Sequence, residues 1–116
     1  MLKIIFAIIL ALHGLIHLMG FAKAFDLSKI DALTQPISKP VGLLWLLACL
    51  LFLATLIVFL GHHDSWWIIA VLAVIISQTL IIFSWHDAKF GTIANLIILL
   101  AVIASLMNAP VSRFLK

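Results

Sequence analysis

Apolar residues run through this chain in four long blocks, each close to the length that crosses a lipid bilayer. A membrane helix needs about 20 mostly apolar residues, because the hydrocarbon core is about 30 Å thick and each helical residue rises about 1.5 Å. The blocks fall at about residues 4–22, 41–60, 66–85 and 89–108, and the second carries no charge from Val41 to Leu60. The connections after the second and third blocks are short, which makes neighbouring helices antiparallel. The pattern predicts an all-α protein: an integral membrane antiparallel four-helix bundle, with residues 1–116 as a single transmembrane domain.

The polar residues between the blocks supply the punctuation. Pro36 and Pro40 break the chain before the second helix, and proline is well tolerated in a first turn. Gly61-His62-His63-Asp64-Ser65 separates the second and third helices, with Asp64 or Ser65 expected to cap the third. Asp87 is expected to cap the fourth, and Pro110 lies just beyond its end. Trp66 and Trp85 bracket the third helix at a separation of roughly 29 Å and read as anchors at the two interfaces. The one long connection runs from Lys23 to Lys39. Leu27, Ile30, Leu33 or Thr34, and Ile37 recur there at helical spacing, with Asp26, Lys29 and Asp31 between them and a weak capping box at Ser28 and Asp31. This predicts a short interfacial helix between helices 1 and 2, its apolar side on the bilayer or the bundle and Lys29 and Asp31 in water.

Composition sharpens the picture. The chain is 66% hydrophobic and 9% charged, whereas a soluble domain is about 25% charged. So few charges cannot cover a water-facing surface. The net charge of +3 is spread over Lys3, Lys23, Lys29, Lys39, Lys89, Arg113 and Lys116, between or outside the apolar blocks. That suits lipid headgroups and gives no basic cluster for nucleic acid, which is excluded as a partner. Three of these residues fall on the side of the termini and four on the other, too even a split to orient the protein. Lys3 and Ala22-Lys23-Ala24 resemble the flanks of a signal peptide, but the stretch between is long for one and holds two histidines, so it reads as a retained span. Cys49, the only cysteine, has no partner for a disulfide or a cysteine metal cluster and reads as a small packed residue.

Polar side chains within a membrane are expensive, so they are the first places to look for chemistry. In the expected topology they gather at one end. Measured inward from one membrane face, His17 lies about one turn deep, His13 and Gln78 about two, and Asn95 between one and two. His86 and Asp87 sit at the rim in the turn between helices 3 and 4, while the opposite half of the bundle is almost purely aliphatic. His13, His17, Gln78, His86, Asp87 and Asn95 are therefore the expected ligand-binding set, and no catalytic residue is assigned.

Several chemistries fit these residues. His13 and His17 share a helix face and could chelate a metal, with Asp87 or His86 as the third ligand. They could instead hydrogen-bond to Gln78, Asn95 or backbone carbonyls and hold helices together, at about 0.6 kcal/mol per bond. Haem fits poorly: axial ligands approach from opposite sides, His17 and His86 lie at different depths, and there is no CxxCH motif. A half-wet cavity lined by His13, His17, Gln78 and Asn95 could hold the head of a lipid or quinone-like amphiphile, or serve a proton-linked path, since histidine titrates near neutral pH. No Asp or Glu lies within a span, which weakens a transporter coupled through a membrane carboxylate. His62-His63-Asp64-Ser65 contains hydrolase-type residues, but triads are assembled by the fold and not by adjacency, so it reads as a solvated turn. Gly14, Gly20, Ala101 and Ser105 allow close helix approach and carry no functional signal.

His13-Gly14-Leu15-Ile16-His17 and Trp85-His86-Asp87-Ala88-Lys89-Phe90-Gly91-Thr92, with Asn95, resemble an N-terminal four-helix membrane module of uncharacterised bacterial proteins, over most of the chain. More loosely, the arrangement is similar to DoxX-like small four-helix proteins, which are linked to redox and quinone-associated complexes. The resemblance implies a bacterial inner (cytoplasmic) membrane location and points to the polar end, with Asp87, Lys89, Thr92 and Asn95. The residues support best a non-enzymatic membrane module that binds a partner membrane protein, a second copy of itself, or an amphiphilic ligand at the His-lined end. A small oligomeric transporter or channel, and a metal- or haem-binding redox subunit, are the alternatives. The cofactor, if any, is not specified by the sequence.

Overall fold

A computed structural model describes residues 1–107. Their regular structure is all helical, without strands: α1 (Leu2–Ile16), α2 (Leu18–Ala24), α3 (Lys39–Leu60), α4 (Trp66–Phe83), α5 (Trp85–Ala88) and α6 (Gly91–Leu106). Three stretches are long and apolar enough to cross a membrane: Leu2–Ala24, Lys39–Leu60 and Trp66–Phe83. α6 is apolar but shorter. Only 33–39% of the residues in the three long stretches are buried, and side chains such as Ile57 and Phe83 stand largely exposed at 71% and 67%. An outer surface this apolar belongs in lipid and would aggregate in water. The expected end of the fourth helix at 108, together with Pro110, Arg113 and Lys116, lies outside the described residues.

The first apolar stretch is one helical path interrupted at His17. The backbone N–H of His17 donates to the Gly14 carbonyl, three residues back, at 3.1 Å. The His13 carbonyl, its usual partner four residues back, accepts instead from His17 Nδ1 at 2.7 Å. A side chain inserted into the helical ladder breaks it locally.

Helices α2 and α3 both end in Schellman motifs whose left-handed residue is not glycine. Asp26 (φ 53°) and His62 (φ 61°) take the left-handed conformation, which Asp and His tolerate better than most residues. In the first, Leu27 N–H reaches back to Ala22 O and Asp26 N–H to Lys23 O; in the second, His63 N–H reaches Val58 O and His62 N–H reaches Phe59 O. α3 starts on Ser38, whose Oγ accepts from Val41 N, with Pro40 in the first turn.

Residue pairs give the packing. Phe6 meets Phe59 and Trp66 in edge-to-face contacts at 5.1 and 5.5 Å. Farther along the first helix, His13 meets Phe52 and His17 meets Trp45. Numbers therefore rise along α1 and α2 while they fall along α3. His17 also reaches Ser77 of α4, and Gln78 reaches Thr92 of α6, so α4 runs with α1 and α6 against it. The main core stacks Phe6, Leu10, Phe52, Phe59, Trp66, Ala70, Ala73, Ile98 and Val102. A smaller one gathers Trp45, Ala48 and Leu80 toward the other end. The closest approach is at Gly20, where an added Cβ would lie 2.0 Å from Cδ2 of the Trp45 indole.

Several expectations are corrected. The interfacial helix between helices 1 and 2 does not form: residues 25–38 are turns, bends and extended chain. The Schellman reversal at Asp26 turns the backbone out of its helical path, and the N–H groups of Thr34 and Gln35 bond to the Asp87 carboxylate and not to helical carbonyls. Leu33 is buried as expected of that face and Lys29 and Asp31 are exposed, while Leu27, 66% exposed, does not pack on the bundle. Asp87 accordingly does not cap the fourth helix, and Ser65 occupies the N-cap of α4 without a side-chain cap bond. Trp66 is buried against Phe6 and Phe59 and is a core residue, not an interfacial anchor; Trp85 is half exposed. The third helix stops at Phe83 and a single turn, α5, follows.

Candidate functional site

The polar residues of α1, α4 and α6 meet in one buried network. His17 Nδ1 faces a backbone carbonyl, which can only accept, so Nδ1 carries the proton and Nε2 of the neutral ring is an acceptor. Ser77 Oγ lies 2.8 Å from that Nε2 and must donate to it. Its lone pair then accepts from Asn95 Nδ2 at 3.1 Å. The second proton on Asn95 Nδ2 goes to Gln78 Oε1 at 3.0 Å, and Gln78 Nε2 donates to Thr92 Oγ1 at 3.0 Å. Asn95 is thereby oriented with Oδ1 toward His13, accepting from Nε2 at 2.8 Å. One fixed carbonyl propagates direction through six side chains. His13, His17, Ser77 and Asn95 are all buried.

This assignment leaves one nitrogen over. With Nε2 donating, Nδ1 of neutral His13 is an acceptor, and it has no partner among the described residues. The only enclosed side-chain nitrogen or oxygen lacking a partner among the described residues is Trp45 Nε1. His13 Nδ1 is therefore not enclosed. The same residue lines a cavity of about 310 Å³ with His17, Trp45, Ile81, Gly91 and Ala94, and Ile16, Met19, Ala32, Leu33, Asp87, Ala88 and Phe90 complete the wall. Of these, Ile16, Ala32 and Phe90 are exposed, so the mouth lies between the end of α1, the 25–38 segment and the start of α6.

That segment closes one side of the cavity as a strap. Its anchor is Asp87, whose Oδ1 accepts from Thr34 Oγ1 at 2.7 Å and whose Oδ2 accepts from the backbone N–H groups of Thr34 and Gln35 at 2.8 and 3.0 Å. The anchor holds Leu33 buried over the cavity. The Thr34 hydroxyl and then the Gln35 amide hold the Asp87 carboxyl below its ordinary range. A carboxylate with a lowered folded-state pKa gives a tether that is complete above the ordinary carboxylate range and lost as pH falls through the lowered value. Amide exchange in the folded protein should therefore show Thr34 and Gln35 protected at neutral pH. That protection, corrected for intrinsic rates, should disappear on acidification or in Asp87→Ala; protection that persists in Asp87→Ala would refute the anchor.

The expected ligand-binding set is thus partly assembled. His13, His17 and Asp87 line the cavity, and Gln78 and Asn95 stand behind it in the network. His86 is exposed and absent from the wall. His17 pairs with Ser77 and the His13 carbonyl, not with Gln78 or Asn95. The two histidines do not form a chelate, since His17 has both nitrogens engaged and the rings stand edge to face at 4.8 Å. Among the described residues no three His, Cys, Asp or Glu side chains converge as a metal site. Sequence reasoning missed Ser77, Trp45 and the Thr34 anchor, and placed Thr92 at the polar end only through the resemblance. Ser77 had a signal: it continues the inward 3–4 spacing Trp66, Ala70, Ala73, Ser77, Leu80, Ser84. No known protein family, characterised protein or solved structure matches the chain.

Proposed function

We propose that this chain is a non-enzymatic module of the bacterial cytoplasmic membrane, an antiparallel four-helix bundle that holds the head of an amphiphilic, lipid- or quinone-like molecule in the His13-lined cavity. The alternating helix directions and the apolar outer faces support the bundle. α6 supplies the fourth member, rising about 24 Å over its described residues. The observation that carries the ligand reading is the cavity itself. Its volume of about 310 Å³ falls at the lower end of small-molecule sites, which run from about 300 to 1,000 Å³ and combine apolar walls with a few fixed polar groups. A network of partnered side chains behind His13 fixes its imidazole, as a recognition group requires. The mouth lies between exposed apolar side chains, Ile16 and Phe90, so a tail can leave the site into surrounding lipid.

Filling the cavity tests this without touching the network. Ala94 lines the wall and makes no side-chain hydrogen bond. Wild-type protein, purified gently and examined by native mass spectrometry, should retain an amphiphile of bilayer origin. Ala94→Leu should lose at least about nine-tenths of it while melting within a few degrees of wild type, because an added side chain in an existing void costs little packing energy. Equal retention by both proteins would remove the cavity as the binding site.

A further inference from the structure

We infer that the cavity selects an uncharged amphiphile whose head donates a hydrogen bond, a hydroxyl in particular, and discriminates against ethers, esters, phosphates and amines. This rests on the ligand-binding reading above and adds the chemistry of the head. The argument is an inventory of the polar side-chain atoms that line the space. His17 is fully engaged, with Nδ1 on the His13 carbonyl and Nε2 on Ser77. Trp45 Nε1 is enclosed and out of reach of a molecule in the cavity. The Asp87 carboxylate already accepts three hydrogen bonds. What remains open is His13 Nδ1, an acceptor whose state is set by the chain of bonds running back to a carbonyl. Its complement is a donor. A head with only acceptors meets no free side-chain donor here and replaces less of its lost hydration.

Charge narrows the class further. No lysine or arginine lines the cavity among the described residues, and the one charged group on the wall is the Asp87 carboxylate, so a phosphate or carboxylate head is repelled and unpaired. An ammonium head has three protons and finds few free lone pairs, at His13 Nδ1 and at the one Asp87 position that the strap leaves open, so only the Asp87 charge favours it. Its desolvation among Ile16, Ile81, Leu33 and Phe90 is then only partly compensated. Size agrees with a head and the first part of a chain. At about 30 Å³ per water-sized group, the volume takes roughly ten non-hydrogen atoms, and the remainder of a long tail passes out between Ile16 and Phe90.

The test compares four probes with one tail: oleyl alcohol, its methyl ether, oleyl phosphate and oleylamine, each titrated against the wild-type protein in nanodiscs of fixed composition. The expected result is binding of the alcohol about tenfold tighter than the ether, which is what one net hydrogen bond supplies, with phosphate and amine weaker than the alcohol. The alcohol, and not the ether, should move the ¹⁵N resonance of His13 Nδ1, a readout that needs no variant to fold. His13→Phe should bring alcohol and ether to equal affinity. Binding of none of the four would sink the ligand-binding reading and this inference with it. Ether equal to alcohol in the wild type, or phosphate or amine the tightest, would leave an amphiphile site standing and overturn the hydroxyl assignment.

Discussion

Gly20→Ala is expected to be among the most damaging single substitutions in the chain, at about 2–3 kcal/mol of folding stability in detergent or bicelles. The indole of Trp45 lies flat on Gly20: an alanine Cβ would sit 2.0, 2.3 and 2.6 Å from three ring atoms. A ring cannot yield as a flexible chain end does, so either the indole or the α2–α3 spacing must move. Trp45 is held on its other side by Ala48 and Leu80 and by the imidazole of His17, 5.5 Å between centroids. Overpacking typically costs about 1–3 kcal/mol, and a contact this short against a rigid ring puts this one at the upper end. The same displacement would push Trp45 into the cavity it lines. Trp45→Leu should rescue: the double variant should recover most of the loss, because the shorter side chain gives the methyl room. Steric trapping or SDS titration would read the stabilities. Gly20→Ala as stable as wild type would mean that the indole does not rest there.

How much of this was legible in the sequence divides along a physical line. The apolar spans were, because lipid imposes length and hydrophobicity on each helix separately: Val41–Leu60 needs no partner to be recognised. The meeting of His13, Gln78 and Asn95 was legible for a related reason. Polar groups in an apolar block must find one another, and their depths can be counted along each helix. Interactions made between distant segments were not. Thr34 and Asp87 lie 53 residues apart, and nothing local marks a threonine in a polar loop as the partner of a carboxylate in a turn. The same loop shows how a true pattern misleads. Leu27, Ile30, Leu33 and Ile37 have helical spacing, yet Leu33 is buried by the strap and Ile37 packs near Trp45, while Leu27 is left exposed. Trp66 was misread because tryptophan suits both an interface and a core, and only the positions of Phe6 and Phe59 decide between them. Ser77 escaped notice because a hydroxyl in a membrane helix can bond its own backbone, as Thr55 and Thr79 do here, so its presence alone announces no partner.

The second large effect is expected at Asn95, the hub on which α1, α4 and α6 converge. Its side chain makes three hydrogen bonds, to His13, Ser77 and Gln78. Interhelical bonds in membranes average about 0.6 kcal/mol, so three account for about 2 kcal/mol. Asn95→Leu also strands the His13 N–H and the Gln78 carbonyl, and a buried unsatisfied group adds about 1–3 kcal/mol where it cannot re-pair. A loss of about 2–4 kcal/mol is expected. The double variant Asn95→Leu with His13→Leu should cost less than the two single changes together, since the second removes the group that the first stranded. Location makes this more than a stability measurement. His13–Asn95 is the sole side-chain hydrogen bond between α1 and α6 among the described residues. On one side of it the two helices leave the His13 cavity between them. On the other they leave an apolar groove between Ile5, Phe6, Ile9 and Ile97, Leu100, Ala101. One bond therefore sets the width of the seam through which a ligand tail would pass. Spin labels on the outer faces of α1 and α6 should show a broadened distance distribution in Asn95→Leu and an unchanged one between α1 and α3, which meet through Phe6–Phe59 and His13–Phe52. An unchanged α1–α6 distribution would show that apolar packing alone positions α6. The polar network would then owe its place to His13 Nδ1 and the cavity, not to holding the helices together.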